Sequence, residues 1–174
     1  SLVTASAIVG GKAETSGPLR EITSPHDRRA IIGAVREADE GAVSRAMTAA
    51  AATQQEWDQQ GGEARAAILD RAADLYEANT ERLIALLVRE AGKSLDNAVA
   101  DLREAVDFLR YYANRARADF AGPVLLPGPT GERNEMSLHG RGVFACFAPW
   151  TVPVAIYTGQ VAAALAAGNS VVAK

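Results

Sequence analysis

R-G-V-F-A-C-F-A-P-W-T-V-P-V-A-I-Y-T-G-Q-V-A-A-A-L-A-A-G-N-S-V-V-A-K, residues 141–174, decides how the rest of the chain is read. Residues 143–147 form a short apolar run, which Pro149 and Pro153 break. Residues 154–167 are a helical segment of small residues. Gly168-Asn169 ends it, and a second β-branched run follows at 170–173. Strand, turn, helix, turn, strand is the outline of a βαβ unit. Strands this continuously apolar are usually buried on both faces, as in parallel sheets, and both runs are expected to be so. The first ends in A-P-W-T, and open α/β sheets bind ligands at the carboxyl ends of their strands. A ligand site is therefore expected around residues 148–151.

Upstream, residues 133–139 alternate loosely and predict an extended strand. Residues 121–131 hold three prolines and three glycines and predict a connector. Before it lies the clearest single element. Leu95, Val99, Leu102, Val106, Leu109, Ala113, Ala116 and Phe120 recur at steps of four and three residues, which predicts a helix packed along that seam. A coiled coil is the alternative; a seam ending in Ala and Phe favours a helix covering a sheet. Ser94 predicts its N-cap and Gly92 the left-handed stop of the helix before it. Earlier helical segments are expected at 42–57 and 63–78, parted by Gly61-Gly62. A third follows Asn79-Thr80, which offers its cap. At the N-terminus, runs at 5–9, 19–23 and 30–35 predict a small antiparallel arm, with Gly10-Gly11 as a turn.

A chain of 174 residues with a net charge of −3 allows one domain with an appended lobe and offers no basic field for nucleic acid. Its one cysteine excludes an internal disulfide framework and fits a reducing, cytoplasmic setting. Residues 1–12 lack the basic and apolar pattern of a signal peptide. The most apolar window, 152–173, contains Pro153, Gln160 and Asn169 and predicts a buried helix and strand, not a membrane span.

Candidate chemistry is sparse. Cys146 lies inside an apolar strand with no base beside it, the setting of a structural thiol. His26 and His139 have no metal-ligand spacing and read as surface or hydrogen-bonded side chains, so no metal is expected. The carboxylates interleave with arginines and read as a solvated face, except Glu104, which neighbours the packed seam. No G-x-G-x-x-G follows residue 143, so the usual dinucleotide fingerprint is absent. The residues themselves support an α/β domain with a helical lobe and a ligand site at 148–151.

Three segments add a resemblance. G-R-G-V-F-A-C-F-A-P-W-T-V-P resembles the G-x-G-V-x-x-x-x-x-P-W-N-[FY]-P stretch of the NAD(P)-dependent aldehyde dehydrogenase superfamily. A-L-A-A-G-N-S-V-V-A-K resembles its A-L-A-x-G-N-x-V-V-x-K stretch, and R-E-A-G-K-S at 89–94 its E-x-G-K segment. A-V-D-F-L-R-Y-Y-A (105–113) and L-P-G-P-T-G-E-R-N-E (126–135) resemble the bacterial proline utilization A proteins, in the first part of their L-glutamate γ-semialdehyde (1-pyrroline-5-carboxylate) dehydrogenase domain.

The resemblance implies an aldehyde dehydrogenase-like α/β fold in four parts. These are a β arm at 1–39, the helical part of the NAD-binding domain at 40–120, a connector and oligomerisation strand at 121–140, and the first βαβ unit at 141–174. It implies NAD as cofactor, bordered by Phe147, Ala148, Pro149, Trp150 and Lys174. FAD is implied only if a proline dehydrogenase domain precedes. Thr151 stands at the oxyanion position, where the family has asparagine. Val152 stands where an aromatic residue is common, and it lines the aldehyde path with Glu104. L-glutamate γ-semialdehyde is the implied substrate and a homo-oligomer the implied assembly. The family's cysteine nucleophile and glutamate base fall beyond residue 174, so these residues alone are expected to be inactive. A non-catalytic association module and a generic nucleotide-binding domain stay open as alternatives.

Overall fold

The computed structural model describes residues 3–174; residues 1–2 of the expected arm lie outside the described residues. The arm comprises β1 (Val3–Ser6), β2 (Ile8–Val9), β3 (Lys12–Ala13), β4 (Leu19–Thr23) and β5 (Ile31–Arg36). β2 and β3 form a hairpin whose turn, Gly10-Gly11, has φ of 56° and 77° at its two central residues. That is the backbone a two-residue hairpin turn requires and glycine permits. The arm is not wholly antiparallel. β5 pairs antiparallel with β4 but parallel with β1. The reason is topological: the sheet order is β1-β5-β4, so β5 inserts between two strands that would otherwise run antiparallel as neighbours.

Helices follow. α1 (Glu40–Gln59) starts at Asp39, whose Oδ1 accepts the Ala42 N–H at 2.7 Å. One residue, Gln60, separates α1 from α2 (Gly61–Ala78). Gly62 is needed there for proximity: a Cβ would run into the carbonyl oxygen of Ala116. α3 (Thr80–Glu90) lacks the cap expected from Asn79, because that side chain turns back and donates to Leu75 O at 2.8 Å, closing α2 instead. Gly92 has φ +68°, as its stop position requires, and Ser94 caps α4 (Leu95–Asp119) through the Asn97 N–H.

The seam of α4 is shifted from the expected one in its first half. Leu95 is 63% exposed and Val99 is also exposed. The buried stripe runs through Ala98, Asp101, Leu102, Ala105, Leu109, Ala113 and Ala116. Small residues line it because two helices, α2 and α5 (Pro153–Ala166), both pack on α4. Ala66, Leu69, Ala73, Leu109, Ala113, Ala116, Ala162 and Ala166 make the core where the three meet.

The connector is more ordered than its prolines suggest. β6 (Val124–Leu126) and β7 (Asn134–Met136) pair antiparallel within it, and β7 is shorter than the expected strand. Then β8 (Val143–Cys146), α5 and β9 (Ser170–Ala173) form the βαβ unit, with β8 and β9 parallel and Val143 opposite Ser170. Burial on both faces is not observed. Phe144 is 43% exposed, and Ala145 is also exposed. Successive residues of a strand point to opposite faces, so each face of β8 is open in part: Cys146, on the face of Phe144, is buried, and Val143, on the face of Ala145, is half-buried.

Candidate functional site

The site is built on two anchored ends of α5. At its carboxyl end the helix leaves carbonyls without intrahelical partners, and the neighbouring helices supply donors. Trp57 Nε1 donates to Leu165 O at 2.9 Å, Arg65 Nε to Ala166 O at 3.1 Å and Gln54 Nε2 to Gly168 O at 2.9 Å. Arg65 is 1% exposed; its Nη1 donates to Asp58 O at 2.7 Å, and its guanidinium lies over the Phe120 ring at 5.0 Å. Asn169 ties the following turn to β8, its Oδ1 accepting the N–H groups of Arg141 and Gly142. Asp58 does the same one residue earlier, accepting from Gly140 N at 2.8 Å and standing 2.9 Å from His139 Nδ1. Burial alone would raise the Asp58 pKa. The Gly140 N–H, His139 and Arg65 together outweigh it and hold the carboxyl below its usual range. Neither histidine is isolated in space, since His26 Nδ1 lies 3.0 Å from Ser24 Oγ.

At the amino end of α5 the chain leaves β8 through Phe147, Ala148, Pro149, Trp150, Thr151 and Val152. The strand ladder runs past both strands: Lys174 N donates to Cys146 O at 2.8 Å, and Ala148 N to Lys174 O at 2.9 Å. This brings Lys174 beside the Phe147-Ala148 backbone. A cleft of about 500 Å³ results, lined by Phe147, Ala148, Pro149, Trp150, Pro153, Tyr157 and Lys174. All five residues expected to border a cofactor line it. Phe147 and Trp150 are 66% and 65% exposed, flat apolar surfaces presented at the carboxyl ends of parallel strands. Lys174 adds the cleft's one cationic side chain. Burial, with lesser contributions from Tyr76 and Cys146, pushes the Tyr157 phenol up, so it stays a neutral donor.

Thr151 and Val152 are outside that lining but contiguous with it. Thr151 is exposed and Val152 half-buried at the N-cap of α5. Glu104 is exposed on α4, away from the buried stripe. Cys146 is buried, and burial raises its thiol pKa, which leaves it a protonated, inert packing group. A second groove, about 530 Å³, runs along β8 and α5 between Phe144, Cys146 and Ala163; it has no charged side chain.

Two charged residues were not legible as site elements. Asp101 and Arg65 sit in arrays of carboxylates and arginines that read as solvated, yet both are buried. The available signal for Asp101 was its spacing, three residues after Ala98 and four before Ala105 on the alanine stripe.

The profile of the aldehyde dehydrogenase family matches residues 12–174. The chain belongs to the aldehyde dehydrogenase family. It is 44% identical over 158 residues to the bifunctional protein PutA of Klebsiella aerogenes, covering 91% of this chain and 11% of that protein. It is 36% identical over 167 residues to 1-pyrroline-5-carboxylate dehydrogenase 2 of Bacillus subtilis, covering 96% of this chain and 32% of that one. Among solved structures, proline utilization A from Bdellovibrio bacteriovorus superposes with a TM-score of 0.92 at 36% identity, covering 98% of this chain and 18% of that one. A 1-pyrroline-5-carboxylate dehydrogenase from Thermus, solved with bound NAD, superposes with a TM-score of 0.92 at 32% identity, covering 99% and 33%. The chain thus spans between a tenth and a third of these relatives. The expected aldehyde dehydrogenase-like α/β fold is the observed one. Among the described residues no helix is long and apolar enough to cross a membrane.

Proposed function

We propose that this chain is the first part of an NAD-dependent L-glutamate γ-semialdehyde dehydrogenase, an oxidoreductase of proline catabolism that converts the aldehyde to glutamate. The observation that carries the reading is one cleft. Residues 147–150 and Lys174, far apart in sequence, line it together at the carboxyl ends of β8 and β9. The residues present fit a dinucleotide. Exposed faces of Phe147 and Trp150 suit an adenine ring, and the Lys174 ammonium suits ribose hydroxyls or phosphate. Bound NAD supplies the hydride acceptor. The chain's own residues bind and orient: Lys174 and Trp150 fix the nucleotide, while Thr151 directs its hydroxyl to the aldehyde oxygen. Thr151 immediately precedes the positive end of the α5 dipole, which favours an anionic oxygen there. Val152 and Glu104 line the aldehyde's approach. Cys146, buried and protonated, takes no part in attack. Within this reading residues 1–39 are the arm, 40–120 the helical part of the NAD-binding domain, 121–140 the connector and oligomerisation strand, and 141–174 the first βαβ unit.

The test uses the complete protein that carries these residues. Wild type should form NADH from 1-pyrroline-5-carboxylate, and Lys174→Met should raise KM for NAD about tenfold, the loss of one charge-assisted contact. No NADH from that substrate, or an unchanged KM in the variant, overturns the reading.

A second reading, an association module, draws on the β6–β7 hairpin. Val124, Leu125, Leu126 and Met136 are all exposed there. The two readings are compatible if the hairpin serves contacts between copies of the chain.

A further inference from the structure

α5 is the one element whose start defines the site, and its own sequence does not cap it. α1 and α4 begin with Asp39 and Ser94, each accepting an N–H of its own first turn. α5 begins with Val152, which has no side-chain acceptor, followed by Pro153, which has no N–H. The first-turn donor at Ala155 is satisfied from another helix: Asp101 Oδ1, on α4, accepts it at 2.7 Å. Asp101 is 2% exposed, and Ala155 is fully buried. A buried carboxylate needs more than one amide. Lys93 Nζ stands 3.0 Å from Asp101 Oδ2 and is itself largely buried, although Oδ2 has no partner of good hydrogen-bond geometry. Lys93 arrives there because Gly92, with φ +68°, reverses the chain after α3, and the Lys93 N–H returns to Leu87 O. Opposite charge on one side and the positive end of a helix on the other hold the carboxylate between them.

We infer that Asp101, held in place by Lys93, supplies from α4 the capping acceptor that Val152 cannot give α5, and that the pair are positioning residues for the turn carrying Thr151 and Val152. The inference deepens the function proposed above and shares its assignment of Thr151. It also gives a role to the R-E-A-G-K-S segment, whose lysine touches neither cleft. The geometry is economical: α4 fixes both the register of α5, through its alanine stripe, and the start of α5, through Asp101.

Amide exchange measured by NMR on the full chain tests it. Asp101→Ala should speed exchange at Ala155 tenfold or more relative to Leu109 and Ala113 in the middle of α4, the loss of a hydrogen bond to a charged group. Asp101→Asn keeps an oxygen acceptor and should stay within about threefold of wild type at Ala155. Lys93→Met should speed exchange at Ala155 while leaving Leu109 unchanged, and it serves if the alanine variant does not fold. Unchanged protection of Ala155 in Asp101→Ala or in Lys93→Met overturns the inference. So does an equal rise at Leu109 and Ala113, which would mean general loosening of the helices. In the complete protein, Asp101→Ala should lower kcat for the aldehyde more than it raises KM, and Asp101→Asn should restore kcat. Exchange behaving as expected with kcat unmoved supports the cap and overturns the Thr151 assignment instead.

Discussion

Leu109 on α4 is closed in by alanines and leucines of α2 and α5, whereas Phe144 on β8 is 43% exposed within the same chain. The helix layer is a finished core. The strand pair is joined to it through α1 and α5. The difference lies in what each element needs. A helix satisfies its backbone internally and must bury one stripe. A strand needs a neighbour on each edge as well as cover on each face, and β8 has one neighbour. The carboxyl end of α5 is where the two regions meet, and there the helix layer donates polar side chains rather than apolar ones.

The largest effect should come from breaking that meeting point. Arg65→Ala removes the donors to Ala166 O and Asp58 O, empties a fully buried volume and takes the permanently charged guanidinium away from the Asp58 carboxylate. Breaking a buried, hydrogen-bonded charge typically costs about 3–5 kcal/mol. Urea unfolding should show a loss in that range. A loss below about 1 kcal/mol would mean that the strand pair is not fastened through Arg65.

A smaller effect should come from charge alone at the same joint. Asp58→Asn can keep the shape and the Gly140 contact while removing the negative charge. In the folded protein the Asp58 pKa is held below its unfolded value, so its stabilisation is fully present above roughly pH 4 and disappears as pH falls through the lower folded value. Wild type should exceed the variant in stability at pH 7, and the gap should close as the pH falls below the ordinary carboxylate range. A gap that persists at low pH would show that packing, not the ionised carboxylate, matters at this position.

The contrast between the two regions also marks what the sequence reveals. Cap and stop residues such as Ser94, Gly92 and Gly168 act through local backbone geometry, so they are readable from a few neighbours. The βαβ outline and the A-P-W-T turn are readable for the same reason, and the cleft forms where that turn leaves β8. Asn79 misleads because two helix ends compete for one side chain and the earlier one wins. The α4 seam misleads in its first half because Leu95 and Val99 are stronger hydrophobic signals than Ala98, Asp101 and Ala105, although only small residues admit two helices at close range. Asp101 and Lys93 are unreadable as a pair: their meaning depends on the Ala155 amide, some fifty residues downstream and reached only through the tertiary fold. Exposure of β8 is invisible to an apolar pattern, which records what a strand is suited to contact and not whether the contact is there.

The smallest effect on stability, and the sharpest on the comparison, should come from Phe144→Thr. Threonine has the β-branched shape that suits a strand and removes the exposed ring. Because Phe144 is far from fully buried, its replacement should change the unfolding free energy by less than about 1 kcal/mol, in contrast to the 2–5 kcal/mol typical of a core Leu→Ala such as Leu109→Ala. Association is a separate matter. The free edge of β8 presents unpaired N–H and C=O groups next to Phe144 and Phe147, a template for pairing with another copy. Light scattering across a concentration series should therefore show the 174-residue chain associating, and Phe144→Thr doing so less at equal concentration. If the variant loses as much stability as Leu109→Ala, β8 belongs to the finished core and the contrast between the regions fails. If wild type and variant scatter alike as sharp monomers at high concentration, the strand pair covers its own edge and the open sheet described here is not the form the chain takes in solution.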